Sequence, residues 1–345
     1  MSPKHLLDTH IHLWPLTAVS PTAHAWMSDP NHILSKPHLL STYVPLSSAS
    51  GVVYVETDRF LPSPVPRSQD IAEWAAQPLA EIEFMREVVE GEQGGRVKGC
   101  VFWCPMTLGE EGMRAYLQLA EERAGSVLWQ RIVGFRYLLQ GKNADEIRGI
   151  VQSENWRRNL EVLGSKGWSF DVGVDGNRDG FGVWAAAGEM GKTGRLILSM
   201  LCFWRLRYEV YLLICTDHLC KPPLANKEPA QEWIDAMRRF KDEENVYMKL
   251  SGAFNEFADG PPSTTGEMVE ALRKYLDVVF ECFPGRVMFG SDWPVCNVGG
   301  PKGEQGNWEF WREIVEAVME DRGFSAEEKE RVWWGAGCEA YGIEM

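Results

Sequence analysis

Two histidines separated by one residue, His10 and His12 in Asp8-Thr9-His10-Ile11-His12, are the first residues of this sequence that could do chemistry. On an extended strand alternate side chains share a face, so both imidazoles point the same way. Ring nitrogens that converge like this suit a divalent metal ion or a clamp on a developing oxyanion. A single strand histidine would more simply be a core residue. Far along the chain, Asp292 in Gly290-Ser291-Asp292-Trp293-Pro294 follows the apolar run Val287-Met288-Phe289. An acid at a strand end can cap a helix, but the Trp-Pro pair that follows is biased away from helix. A general base or metal ligand is the expectation for Asp292.

Asp217-His218-Leu219-Cys220-Lys221 brings a tunable base, an acid and a fixed positive charge together. Glu56 and Asp58 follow Val52-Val53-Tyr54-Val55, as a ligand and a loop acid or as solvated loop charges. Arg136 sits inside the apolar stretch Gly134 to Leu139, where a charge is costly unless paired. Either a salt bridge to an interior acid or a clamp on substrate would satisfy it, and the two can coexist. Asp171 and Ser251 lie in or at the end of similar stretches. His5, His24, His32 and His38 have no such company and are expected on the surface or in loops.

What must position these groups is a recurrence of short β-branched and aromatic runs, each bounded by turn residues. They are Leu6–Trp14, Gly51–Glu56, Val97–Cys104, Ile132–Leu138, Trp168–Val174, Tyr211–Asp217, Val246–Ser251 and Arg286–Gly290. Helix-compatible segments separate most of them: Leu79, Ile82, Met85, Val88 and Val89 recur at helical spacing, as do Met113, Tyr116, Leu117 and Ala120. Strands apolar on both faces belong to parallel sheets covered by helices, and eight such units suit a single (β/α)8 TIM barrel over residues 1–345. The polar groups above fall at the C-terminal ends of the runs, where barrel active sites lie. An open doubly wound sheet is the alternative. Two stretches depart from the pattern. Residues 57–78, with Pro62, Pro64, Pro66 and Pro78, read as a long loop, and 191–210 is an atypical apolar block, either a buried helix or an insertion.

Composition narrows the partners. The 345 residues carry 35 Lys and Arg against 49 Asp and Glu, a net charge of −14 that opposes a phosphate backbone, so no nucleic acid partner is expected. The longest apolar stretch, Leu196 to Trp204, is far short of the ~20 residues a membrane span needs. The first residues lack the basic and apolar features of a secretory signal, and the eight cysteines follow no disulfide or zinc-finger spacing. Reduced thiols and a cytoplasmic location are expected. A homodimer is compatible with the sequence but not specified by it. A Ser elbow, an H-E-x-x-H helix and a nucleotide-binding glycine loop are all missing.

The phrases DTHIHLW, YVETDRF, GFRYLLQ, FDVGVD, DHLCKP, YMKLSGAF and MFGSDWPVC, spanning residues 8 to 296, resemble the sugar-lactonase branch of the amidohydrolase superfamily, particularly fungal L-rhamnono-γ-lactonase-like proteins. That resemblance implies a TIM barrel and hydrolysis of a sugar-acid lactone in deoxyhexose breakdown. It also implies an inner site of His10, His12, His218 and Asp292, with Glu56, Arg136, Asp171 and Lys221 around the substrate. Strand four supplies Arg136 in place of the carbamylated lysine of binuclear relatives, which argues for one divalent metal, Zn or Mn, or for none. Ser251 and Trp293 join the expected substrate contacts, and His10, His12 and Asp292 the expected metal ligands. In the mechanism this suggests, a metal or a protonated His218 polarises the carbonyl while Asp292 takes a proton from water. A related metal-dependent decarboxylase and an inactive barrel that binds a sugar acid are the rival readings.

Overall fold

A computed structural model describes residues 5–67, 70–186, 189 and 214–344. Eight parallel strands run in sequence order: β1 (Leu7–Ile11), β2 (Gly51–Val55), β3 (Val97–Trp103), β4 (Ile132–Leu138), β5 (Ser169–Gly173), β6 (Ile214–Thr216), β7 (Val246–Leu250) and β8 (Val287–Phe289). Each pairs with the next, and a parallel bridge from Ile11 to Trp293 brings the last strand's end back to the first. The barrel expected from the sequence is therefore present. Each of the eight runs contains its strand, Ile132–Leu138 coinciding with β4, and residues 211–213 of the sixth run lie outside the described residues. The apolar block 191–210 lies outside the described residues.

The strands form because their residues can be buried on both sides. Their outer faces pack under helices, of which α1 (Ala76–Glu90) buries Leu79, Ile82, Met85 and Val89 and α2 (Glu110–Trp129) buries Met113, Tyr116, Leu117 and Ala120. Helices α3 (Glu154–Gly164), α4 (Gln231–Arg239), α5 (Thr265–Cys282) and α6 (Asn307–Asp321) continue the ring. Within the stretch 57–78, residues 57–67 are irregular, whereas Ile71–Trp74 and then α1 are helical, with Asp70 capping the first of them through Glu73 N.

Inside the barrel, Leu7, Val53, Val55, Val101, Cys215, Tyr247 and Met288 form a second, smaller core. A final helix, α7 (Ala336–Tyr341), closes it with Ala336, Cys338, Ala340 and Tyr341. The lower half of the interior is thus mainly apolar, and polar side chains occupy the upper half. Asp8 stitches the seam between β1 and β8: its carboxylate accepts from Ser291 N, the Tyr43 hydroxyl and Trp308 Nε1. Seven described cysteines are free and buried, and no described helix is long and apolar enough to cross a membrane.

Candidate active site

The ends of β1, β6 and β8 converge on one buried point. Asp292 Oδ1 lies 3.6 Å from His10 Nε2, 3.3 Å from His12 Nε2 and 3.8 Å from His218 Nε2. The backbone fixes this meeting, because Asp292 N donates to His10 O and His12 N to Trp293 O across the seam. Each histidine is oriented from behind. His12 Nδ1 sits 2.8 Å from Val55 O, His218 Nδ1 2.9 Å from the Ser251 hydroxyl, and His10 Nδ1 3.2 Å from Lys249 Nζ and 3.3 Å from Asp217 Oδ1.

Backbone strain marks the same place. Among the described residues the non-glycine positions with left-handed φ are Asp58, the four consecutive residues His218 to Lys221, and Asp292. All follow β2, β6 or β8. Such conformations cost roughly 1–3 kcal/mol each and gather at functional sites. The turn after β6 is held open by two indoles, Trp184 Nε1 donating to Cys220 O and Trp233 Nε1 to Leu219 O.

Beneath the histidines lies a layer of paired charge. Arg136 donates from Nε to Glu56 Oε1, from Nη2 to Glu56 O and from Nη1 to Asp217 Oδ2. Lys249 Nζ lies 2.5 Å from Asp171 Oδ2 and 3.1 Å from Asp217 Oδ1, and the Tyr341 hydroxyl reaches both oxygens of Asp171. Burial lowers the His218 ring to about 4 in spite of the facing Asp292 and Asp217, and lowers His10 well below its usual value with Lys249 helping. Both rings are neutral at neutral pH. The protonated His218 expected from sequence is thereby corrected, since removal from water costs the imidazolium more than two nearby carboxylates return. Burial alone would raise the Asp292 carboxyl, yet the facing imidazoles, His218 first, then His12 and His10, hold it well below the usual carboxylate range.

The expected site residues therefore divide. His10, His12, His218 and Asp292 come together. Of the six expected around the substrate, five already have partners inside the protein: Glu56 with Arg136 and Asp58 N, Arg136 with Glu56 and Asp217, Asp171 with Lys249 and Tyr341, Ser251 with His218, and Trp293 packed at 2% exposure against His38 and Tyr43. Lys221 is tied more loosely, 3.6 Å from Glu256 and 3.9 Å from Asp175. His24 and His38, expected on the surface or in loops, lie in the loop after β1 but are buried. His24 lies between Ala18 O and the Thr57 hydroxyl, and the His38 backbone pairs with Trp14. Sequence reasoning missed Lys249, although a lysine within Val246-Tyr-Met-Lys-Leu250 carries the same signal that singled out Arg136. It also missed Asp8, a charge inside the first strand run, and Tyr341, whose type gives no warning.

A metal fits this donor set. Asp292 Oδ1 is buried with no hydrogen-bond partner among the described residues, and with His10 and His218 it offers ligand atoms within 4.8 Å of one another. Imidazole with carboxylate suits zinc or manganese. A cavity of about 580 Å³ lined by Phe280, Val287, Phe324, Arg331 and Trp334 lies instead around the start of β8, at the opposite end of the barrel, and holds none of these groups.

The amidohydrolase family model matches residues 7–343. The chain belongs to the amidohydrolase family. It is 27% identical to an L-rhamnono-gamma-lactonase of Scheffersomyces stipitis over 99% of this chain and 100% of that one. It is 25% identical to an L-fucono-1,5-lactonase of Burkholderia multivorans, over 98% and 96% of the two chains. A solved amidohydrolase from Burkholderia multivorans with bound zinc superposes with a TM-score of 0.70 at 22% identity, covering 99% of this chain and 100% of that one. This last likeness bears on the fold of the amidohydrolase barrel alone.

Proposed function

We propose that this amidohydrolase opens the lactone of a sugar acid, L-rhamnono-1,4-lactone or a similar aldonolactone, to the free aldonic acid at the Asp292 centre. The observation that carries the reading is the convergence of three imidazole nitrogens on one buried carboxylate oxygen at the strand ends. Full-length similarity to two proteins named as sugar lactonases supports the substrate class.

Asp292, ionised at neutral pH, accepts a proton from the attacking water as oxygen bonds to the lactone carbonyl. The neutral His218, held at Nδ1 by Ser251, presents Nε2 to the carbonyl oxygen, where negative charge develops. Asp292 then gives that proton to the ring oxygen as the carbon–oxygen bond breaks. Lys221, the least tightly paired cation of the site, holds hydroxyls or the emerging carboxylate. His10, His12, His218 and Asp292 are the residues that would hold a divalent ion, which when bound supplies Lewis acidity toward the carbonyl. A cytoplasmic location and a place in deoxyhexose breakdown belong to the same reading, supported by buried free cysteines and by the Scheffersomyces stipitis relative's name.

A pH-indicator assay of the purified protein on a panel of aldonolactones, before and after chelation and with Zn²⁺ or Mn²⁺ returned, tests this. Proton release from an aldonolactone is expected. Loss of release on chelation with recovery on one metal would assign the carbonyl's activation to that ion, and indifference to chelation would assign it to the histidines. A folded sample that releases protons from none of the lactones would overturn the lactonase reading.

A further inference from the structure

Three turns at the rim of the barrel carry a group of charges that lactone opening at Asp292 leaves largely unused. Asp175 lies two residues past β5, Lys221 ends the left-handed turn after β6, and Glu256 sits in the turn after β7. The backbone ties these turns together, Asn177 N donating to Lys221 O and Leu224 N to Glu256 O. All three residues are buried, Lys221 at 9% exposure being the most open. Each acid uses one oxygen inside the protein: Asp175 Oδ1 accepts from Arg178 N and Glu256 Oε2 from Asn177 Nδ2. The other oxygen of each faces Lys221 Nζ, Asp175 Oδ2 at 3.9 Å and Glu256 Oε1 at 3.6 Å, and neither has a hydrogen bond among the described residues. These are ion-pair separations longer than a hydrogen bond, whereas Arg136 and Lys249 reach their carboxylates at 2.6 and 2.5 Å. Arg178, the neighbouring cation, is taken up by both oxygens of Asp179. Two carboxylates therefore face one ammonium.

We infer that Asp175, Lys221 and Glu256 form a subsite for a neutral, hydroxyl-bearing arm of the substrate, and that Glu256 is the residue that keeps a carboxylate out of it. A hydroxyl both donates and accepts, so one hydroxyl can accept from the ammonium while giving its proton to an open carboxylate oxygen, and a second can serve the other acid. A carboxylate only accepts. It would satisfy Lys221 but meet two like charges away from water, where such repulsion discriminates strongly. Of the two tasks open to Lys221, holding hydroxyls or holding the emerging carboxylate, the clasp selects the first. The subsite borders the centre, because His218 opens the turn that Lys221 closes, and Gly252, four residues before Glu256, adjoins His218 and Asp292. The inference rests on the lactonase reading only in placing a sugar-acid ring at Asp292. The choice of arm follows from the clasp itself.

Lactams carry N–H in place of the ring oxygen and resist hydrolysis, so they report binding without turnover. Isothermal titration of the full-length protein compares L-mannono-1,4-lactam, whose arm ends in a hydroxymethyl group, with L-mannaro-1,4-lactam, whose arm ends in a carboxylate. The wild type should bind the neutral lactam at least tenfold more tightly. Glu256→Gln keeps the shape and the Asn177 contact but leaves one acid against one ammonium, and its preference should fall at least fivefold. A merely displaced loop would weaken both lactams alike and leave their ratio unchanged. The inference is overturned by a wild type that binds the two equally, prefers the anion or binds neither at millimolar concentration, and by an unchanged ratio in a folded variant. Should the variant not fold, the wild-type ratio decides alone. The proton-release assay reads the lactonase separately: release without a preference between the lactams removes the subsite alone, and a preference without release removes the lactonase reading alone.

Discussion

Gly252, just past β7, has φ +61°, and a Cβ there would lie 2.4 Å from His218 Nδ1 and 2.9 Å from Asp292 Oδ2. Any side chain must push two central groups apart and also bear a left-handed backbone, about 1–2 kcal/mol for an L-residue. Gly252→Ala should therefore lower kcat by a factor of 100 or more for a small loss in Tm, and steady-state kinetics beside a thermal melt would show whether activity falls out of proportion. Arg136 has a different role. Arg136, buried at 4% exposure, is pinned by Glu56 and Asp217, so Arg136→Ala leaves Glu56 without its cation and Asp217 with Lys249 alone. Breaking such a pair costs about 3–5 kcal/mol, and urea denaturation should register it before any effect on KM is interpretable. At this scale the sequence showed which residues carry charge inside apolar strands. It did not show with whom they pair, because a partner such as Asp171 for Lys249 comes from another strand, 78 residues away.

Among the elements, the loops after β2, β6 and β8 hold the left-handed residues, and neither propensity nor periodicity foretells a run of four such conformations at His218 to Lys221. The loop after β1 is likewise more tightly packed than its composition suggests. His24 and His38 are each lowered from 6.5 to about 4, chiefly by burial. Both are neutral in the fold, whereas the unfolded chain binds protons on them below pH 6.5. The stability they confer is therefore complete above pH 6.5 and is lost as pH falls through about 4, in total on the order of a few kcal/mol. Chemical denaturation of the wild type at pH 7 and pH 4.5 should show this loss, and His38→Gln should show a smaller one. Equal losses in the two proteins would contradict the assignment.

Across the whole molecule the barrel was legible because its eight strands are buried on both faces, which leaves eight apolar runs in the chain, and because polar groups cluster at one end of them. Ile132–Leu138 matches β4 at both ends. The floor was not legible: α7 fills the lower interior with small residues and Tyr341, and nothing in Ala336–Tyr341 distinguishes a plug from an outer helix. That plug reaches the chemistry through Asp171 and Lys249 to His10. The central claim is that Asp292 moves the protons of lactone opening, and Asp292→Asn, nearly isosteric and without a basic oxygen pair, tests it most directly. With an aldonolactone that the wild type turns over, the account predicts kcat lower by about 10²–10⁴-fold with KM nearly unchanged, in a protein with the wild-type melting curve. A variant that keeps near wild-type kcat would contradict it.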